Sequence, residues 1–164
     1  WRVKMHKAIS NTSPLLYLYR IEGIAWLPKI FGEVWTSTAV QDEVLDGQKR
    51  GYDVPLLESY TWLQVVEPSS VPSEWLSLDL GAGELETMAL ALDNPDRIVL
   101  LDDALARRIA IAAGLTVWGT LKVLLEAKSR GIISNIEPHV EQLKNAGMWI
   151  SEDIKFRILA LAGE

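Results

Sequence analysis

The chain has 164 residues, no cysteine and a formal net charge of −6. These values exclude a disulfide framework, a thiol nucleophile and cysteine zinc sites, and they argue against a surface that coats nucleic acid throughout, though not against a local basic strip. With 49% hydrophobic content and seven tryptophans, one soluble domain spanning 1–164 is expected. The cytoplasm is its default location, since the basic start WRVKMHKAIS has no secretory-type apolar region after it and no apolar run nears the roughly 18 residues of a membrane span.

In chain order, the first strand is predicted over 7–10 (KAIS), followed by Asn11-Thr12-Ser13-Pro14, where Ser13 reads as an N-cap and Pro14 as a first-turn residue of a helix. A second strand is predicted over 34–37. Thr38-Ala39-Val40-Gln41 then has the spacing of a capping box that opens a helix to about Asp46. A third strand, 62–66, lies between the loops at Gly51-Tyr52-Asp53 and EPSSVPSEW (67–75). GAGELETMALALDNPD places Leu85, Met88, Ala89 and Leu92 at helical spacing over 82–93 and stops at Asn94-Pro95. Strands over 97–101 and 116–119 follow, and from about 120 the pattern is wholly helical. Strands alternating with helices imply right-handed crossovers and a mainly parallel sheet covered on both faces, an α/β fold.

In such a sheet ligands bind beyond the carboxyl ends of the strands, where strand order reverses. Asn11 follows the first strand, Asp102 and Asp103 follow RIVLL, Glu43 lies one turn into the helix after the second strand, and Glu84 opens the helix over 82–93. Glu43 and Glu84 each continue an apolar helix stripe toward the interior, with no basic residue beside them in sequence. A buried carboxylate is costly alone, so a tertiary base or a shared divalent metal is expected to neutralise it. Each acid taken singly reads better as a solvated helix-end residue, with Glu84 and Glu86 favouring a helix N-terminus and Asp102-Asp103 capping the next helix. The set taken together, each at a strand end or adjoining helix start, favours a shared site.

An oxygen-rich, cysteine-free donor set suits hard cations, Mg²⁺ or Mn²⁺. His6 and His139, far apart in sequence, read as packing or surface residues. A carboxylate-held metal can activate water and neutralise a phosphodiester, so no side-chain nucleophile is required. No G-x-S-x-G elbow or Walker-type loop is present, and GAGE is too short to cradle a pyrophosphate.

The pieces ISNTSPLL, VQDEVL, GAGELETMALAL, VLLDDALARRIA, GTLKVLLEAKSRGII and WISEDIKFRILALAGE resemble, in that order, the PIN-domain superfamily, closest to a prokaryotic branch related to VapC-type toxins. The resemblance implies a three-layer α/β/α sandwich and an acid cluster that holds Mg²⁺ or Mn²⁺ for hydrolysis of single-stranded RNA. By motif position, Asn11, Glu43, Glu84 and Asp103 fall on its four acidic positions, with Asp102 an ambiguous neighbour. It implies catalytic roles for Glu43, Glu84 and Asp103, metal contacts from all five, a homodimer, and a small antitoxin protein as partner.

Residues 104–130 hold Arg107, Arg108, Lys122, Lys128 and Arg130 against one acid, Glu126. This stretch reads either as a phosphate track or as a solvated helix face with an ordinary Glu126–Arg130 pair. Thr12, Ser13 and Thr120 are candidate donors to a phosphate or a bound water, or simple caps. An asparagine at position 11 departs from the superfamily pattern: it offers a neutral carbonyl oxygen and an NH₂ donor where a carboxylate is usual. That substitution leaves two alternatives, a metal-dependent ribonuclease or a PIN-like module that binds RNA or a partner without turnover.

Overall fold

Along the first strand, Ala8 belongs to one apolar cluster and its neighbour Ile9 to another; farther on, Ile98 and Leu100 join the first cluster, Val99 and Leu101 the second. Period-two alternation with apolar residues at both phases requires a sheet buried on both faces. The computed structural model describes residues 5–164. Residues 1–4, which open the basic N-terminal stretch, lie outside the described residues.

The strands β1 (His6–Ser10), β2 (Phe31–Ser37), β3 (Leu63–Val66), β4 (Ile98–Leu100) and β5 (Thr116–Trp118) form one parallel sheet in the order β3-β2-β1-β4-β5. Buried residues of α1 (Thr12–Arg20), α3 (Thr38–Lys49), α6 (Thr120–Ser129), α7 (Glu137–Asn145) and α8 (Glu152–Leu161) join the cluster of Ala8 and Leu100. Those of α4 (Ala82–Asp93) and α5 (Ala104–Ala112) join the cluster of Ile9 and Val99. The result is a three-layer α/β/α sandwich. No helix among the described residues is long and apolar enough to cross a membrane.

The helix over 82–93 lies where its periodicity predicts, and each predicted strand coincides with an observed one to within a few residues. The differences are local. β2 begins at Phe31 because a short 3-10 turn, Ile24–Trp26, and the one-turn helix α2 (Leu27–Ile30) deliver the chain to the sheet early. That turn needs a glycine beside it, since a Cβ on Gly23 would sit 2.6 Å from the Trp26 ring.

Two helix starts also shift. Thr38 does not cap α3: Ser37 does, its hydroxyl accepting from the Val40 N–H at 3.1 Å, and the helix runs past Asp46 to Lys49. Ser13 lies inside α1 rather than capping it; Asn11 holds the N-cap position, and its side chain makes no capping bond.

Because Ser37 satisfies an N-terminal donor of the helix that carries Glu43, Ser37→Ala should cost about 1 kcal/mol. Urea denaturation should show a lower midpoint with an unchanged slope.

Candidate active site

Strand order reverses between β1 and β4, so the crevice at their carboxyl ends is the natural ligand site of this sheet. Asn11 leaves β1 with its N–H donating to the Leu100 carbonyl of β4 at 3.1 Å, which fixes it at the junction. The crevice floor is polar although buried. The Thr36 hydroxyl donates to the Ser10 carbonyl at 2.7 Å, and the Ser10 hydroxyl to the Asn11 carbonyl at 2.9 Å.

Glu84 and Glu43 are drawn together by backbone donors at the start of α4. The Gly81 N–H donates to Glu84 Oε1 at 3.1 Å and the Gly83 N–H to Glu43 Oε1 at 2.9 Å. The Thr12 hydroxyl donates to Glu43 Oε2 at 2.5 Å. A Cβ on Gly83 would lie 2.7 Å from Glu43 Oε2, so glycine is what lets the carboxylate reach the helix backbone. Glu86 ties the two helices by accepting from the Ala39 N–H at 2.9 Å.

These contacts revise one expectation: Glu43 does not point into the apolar interior. It is exposed on α3, and its carboxylate bends over to the α4 terminus. Glu84 is half-buried as its position on the stripe predicts.

Burial pushes the Glu84 carboxyl above its ordinary range, opposed by the Gly81 hydrogen bond and reinforced by Asp103 and Glu43 beside it. Among the described residues no lysine or arginine forms an ion pair with Glu43, Glu84 or Asp103. The expected tertiary base is therefore absent from their described surroundings. Two oxygens, Asn11 Oδ1 and Glu84 Oε2, are buried without a hydrogen-bond partner.

The neighbours Asp102 and Asp103 serve different ends. Asp102 accepts from the Thr120 N–H at 2.8 Å and the Thr120 hydroxyl at 2.7 Å, so both its oxygens are engaged. Burial raises its pKa, while these bonds and the charge of Arg107 act in the opposite direction. Asp102 thus anchors α6 to the end of β4, which leaves Asp103 as the acid that faces Glu84. Asp103 also caps α5 by accepting from the Ala106 N–H at 2.9 Å.

The predicted phosphate donors divide similarly. Thr12 and Thr120 are committed to Glu43 and Asp102, whereas Ser13 is half-buried on α1. In the basic stretch, Arg130 pairs with Glu126 at 3.3 Å and Lys128 with Glu164 at 3.0 Å. Arg107, Arg108 and Lys122 form no ion pair among the described residues. His6 and His139 pack edge-on against Trp118 and Trp26.

A family model described as DUF3368: PIN domain matches residues 7–164. The chain belongs to the PIN-domain family. No curated protein matches it. PIN domains are in general hydrolytic nucleases, commonly dependent on divalent metals. Among the described residues of this PIN domain, no three acidic or histidine side chains close on a single point. Its oxygen-only donors, two of them buried and unpartnered, nonetheless fit a hard cation that keeps several of its waters.

The contacts of Gly83 with Glu43 and of Glu86 with Ala39 lay beyond sequence reasoning, because they join segments 40 and 47 residues apart in the chain; the Gly81–Glu84 contact is local, three residues apart. The GAGE glycines were a signal of close backbone approach without showing what approaches.

A raised Glu84 pKa means that the native state holds the proton more tightly than the unfolded chain. The associated stability is complete below the ordinary value of 4.5 and is lost as pH rises through the raised one. Glu84→Gln keeps an acceptor for Gly81 and removes the charge. In EDTA it should melt above the parent at neutral pH, with the gap closing as pH falls toward 4.5; melting curves across that interval check the direction.

Proposed function

We propose that this PIN domain is a metal-dependent ribonuclease that hydrolyses phosphodiester bonds of single-stranded RNA. One observation carries the reading: Asn11 Oδ1 and Glu84 Oε2 are buried and unpartnered at the strand-order reversal, beside carboxylates with no basic counter-charge among the described residues. Asn11, Glu84 and Asp103, with Glu43 at the rim, would hold Mg²⁺ or Mn²⁺, which when bound polarises the phosphodiester and makes a water more acidic.

The chain's own residues do the remainder. Gly81, Gly83 and Thr12 fix the two glutamates so that they need not reorganise during reaction. Glu84, whose carboxyl burial shifts above its ordinary range, is suited to hold or move a proton at Oε2. Hydrolysis adds water across a P–O bond: its oxygen goes to phosphorus and a proton goes to the departing alkoxide. Arg107, Arg108 and Lys122, which form no ion pair among the described residues, supply cations that can meet the phosphate backbone.

The finer assignment is the toxin half of a toxin–antitoxin pair of VapC type, acting in the cytoplasm, dimeric, and held by a small antitoxin protein. Exposed Phe156 and Leu161 on α8 offer apolar area for such contacts. A second reading, a PIN-like module that binds RNA or a partner without turnover, is favoured by the neutral Asn11 and by the absence of a closed three-acid cluster among the described residues.

Purified protein should cleave single-stranded RNA with Mn²⁺ or Mg²⁺, EDTA should abolish cleavage, and Glu84→Gln should slow it by roughly 100-fold or more. Cleavage that survives both treatments excludes the metal mechanism.

Asn11→Asp should tighten Mn²⁺ binding by about tenfold or more, because opposite charges a few ångströms apart attract strongly even at an effective dielectric of about 20. It should also lower the melting temperature without metal, where the new carboxylate faces Glu84 and Asp103. Calorimetric titration and melts with and without Mn²⁺ measure both effects.

A further inference from the structure

Beside the acid crevice, on the far side of Asp102, lies a cavity of about 320 Å³ whose wall includes Arg107, Gly119, Lys122, Met148 and Trp149. Its construction is unlike that of the crevice. Two cations line the cavity along with Asp102: Arg107 is held by donating to the Leu101 carbonyl at 3.0 Å, and Lys122 has its ammonium 5.2 Å from the centre of the Trp118 ring. Neither forms an ion pair among the described residues. Gly119 gives Arg107 its room, since a Cβ there would lie 2.8 Å from the guanidinium.

The same cavity is also lined by apolar residues, Met148 and Trp149 among them, and Trp149 is 83% exposed. Trp118 and Phe31 pack on each other at 5.5 Å; Trp149 makes no ring contact among the described residues. An exposed indole and two cations lining one cavity near the lower size limit for ligand sites match an amphipathic ligand with one flat face and one negative group.

We propose that this cavity binds one unpaired nucleotide of a single-stranded RNA, its base stacked on Trp149 and its phosphate held by Arg107 and Lys122. The inference rests on the ribonuclease reading for the nature of the strand, and it adds a subsite one step from the cleavage point. Asp102 lines the cavity while its neighbour Asp103 faces Glu84, so one strand can occupy both places. Stacking serves any base, so this subsite contributes affinity and strand placement with little sequence preference.

The test is binding of a short fluorescein-labelled RNA, followed by anisotropy in EDTA so that metal and cleavage do not enter. Trp149→Ala should weaken binding of the single strand by roughly 5- to 100-fold, the effect of losing one base–aromatic stack, while Trp149→Phe retains most of the affinity. Lys122→Gln should reduce the slope of log affinity against log salt by about one. Duplex RNA should be indifferent to Trp149→Ala, because its bases are not free to stack.

AMP serves as the free-nucleotide probe and should bind far more weakly than the strand. Parent-like binding of the strand by Trp149→Ala overturns the proposal. So does equal weakening of the duplex, AMP binding as tight as the strand, or a Trp149→Ala effect confined to self-association. A protein that fails to cleave with Mn²⁺ leaves these results intact, so failure of the nuclease reading is told apart from failure of the subsite.

Discussion

Three carboxyl groups that share one strand-end crevice with no basic partner among the described residues set the terms for much of this structure. Glu84 stands beside Asp103 and Glu43, and its carboxyl is pushed toward the neutral form by burial and by their charge. Like charges so placed raise the free energy of the metal-free fold, and a protein keeps such an arrangement only where something else holds it in shape. Here the holding groups are backbone amides. Gly81 and Gly83 open α4 toward the acids, so the positive end of the helix faces negative charge, and the Thr12 hydroxyl completes the set.

The sheet makes that convergence possible. Because β1 and β4 are parallel neighbours whose following segments leave in different directions, the chain after each strand is free to turn a side chain into the gap. Asn11 and Asp103 come from those two exits, while Glu43 and Glu84 arrive on helices from either side. The two helices are kept in register by the bond between Glu86 and the α3 terminus. Within this frame adjacent aspartates separate in function: Asp102 fastens α6 through Thr120, and Asp103 faces the crevice. The fastening also fixes the wall from which Arg107 and Lys122 reach the neighbouring cavity.

Charge is sorted by the same geometry. The one basic stretch of an acidic chain is divided, with Lys128 and Arg130 neutralised near the C-terminal helix and on α6. Arg107, Arg108 and Lys122 are left without ion pairs among the described residues. A net charge of −6 is therefore compatible with an anionic ligand, because what the ligand meets is a local field and not the sum.

Much of this was written in the sequence. Apolar periodicity marked all five strands and placed the helix over 82–93, since burial on one or both faces imposes a period that local residues must obey. The position of Asn11, Glu43, Glu84 and the Asp102-Asp103 pair relative to those elements, together with the PIN-domain resemblance, singled out the candidates for the crevice without separating Asp102 from Asp103. Local signals misplaced the caps at Ser13 and Thr38: Ser37 and Thr38 compete for the same N-terminal donors and only the path of the strand decides between them, while α1 begins at Thr12, with Asn11 in the N-cap position and no side-chain capping bond.

The turn of the exposed Glu43 carboxylate onto the start of α4, the separate roles of Asp102 and Asp103 and the pairing of Lys128 with Glu164 were decided by the tertiary structure alone. Each depends on a partner brought from a distant segment. Sequence sets the periodicities and the inventory of charged and hydroxyl groups. Which of those groups meet, and which are left to face a ligand, is fixed only when strand order and helix packing bring distant segments to the same few ångströms.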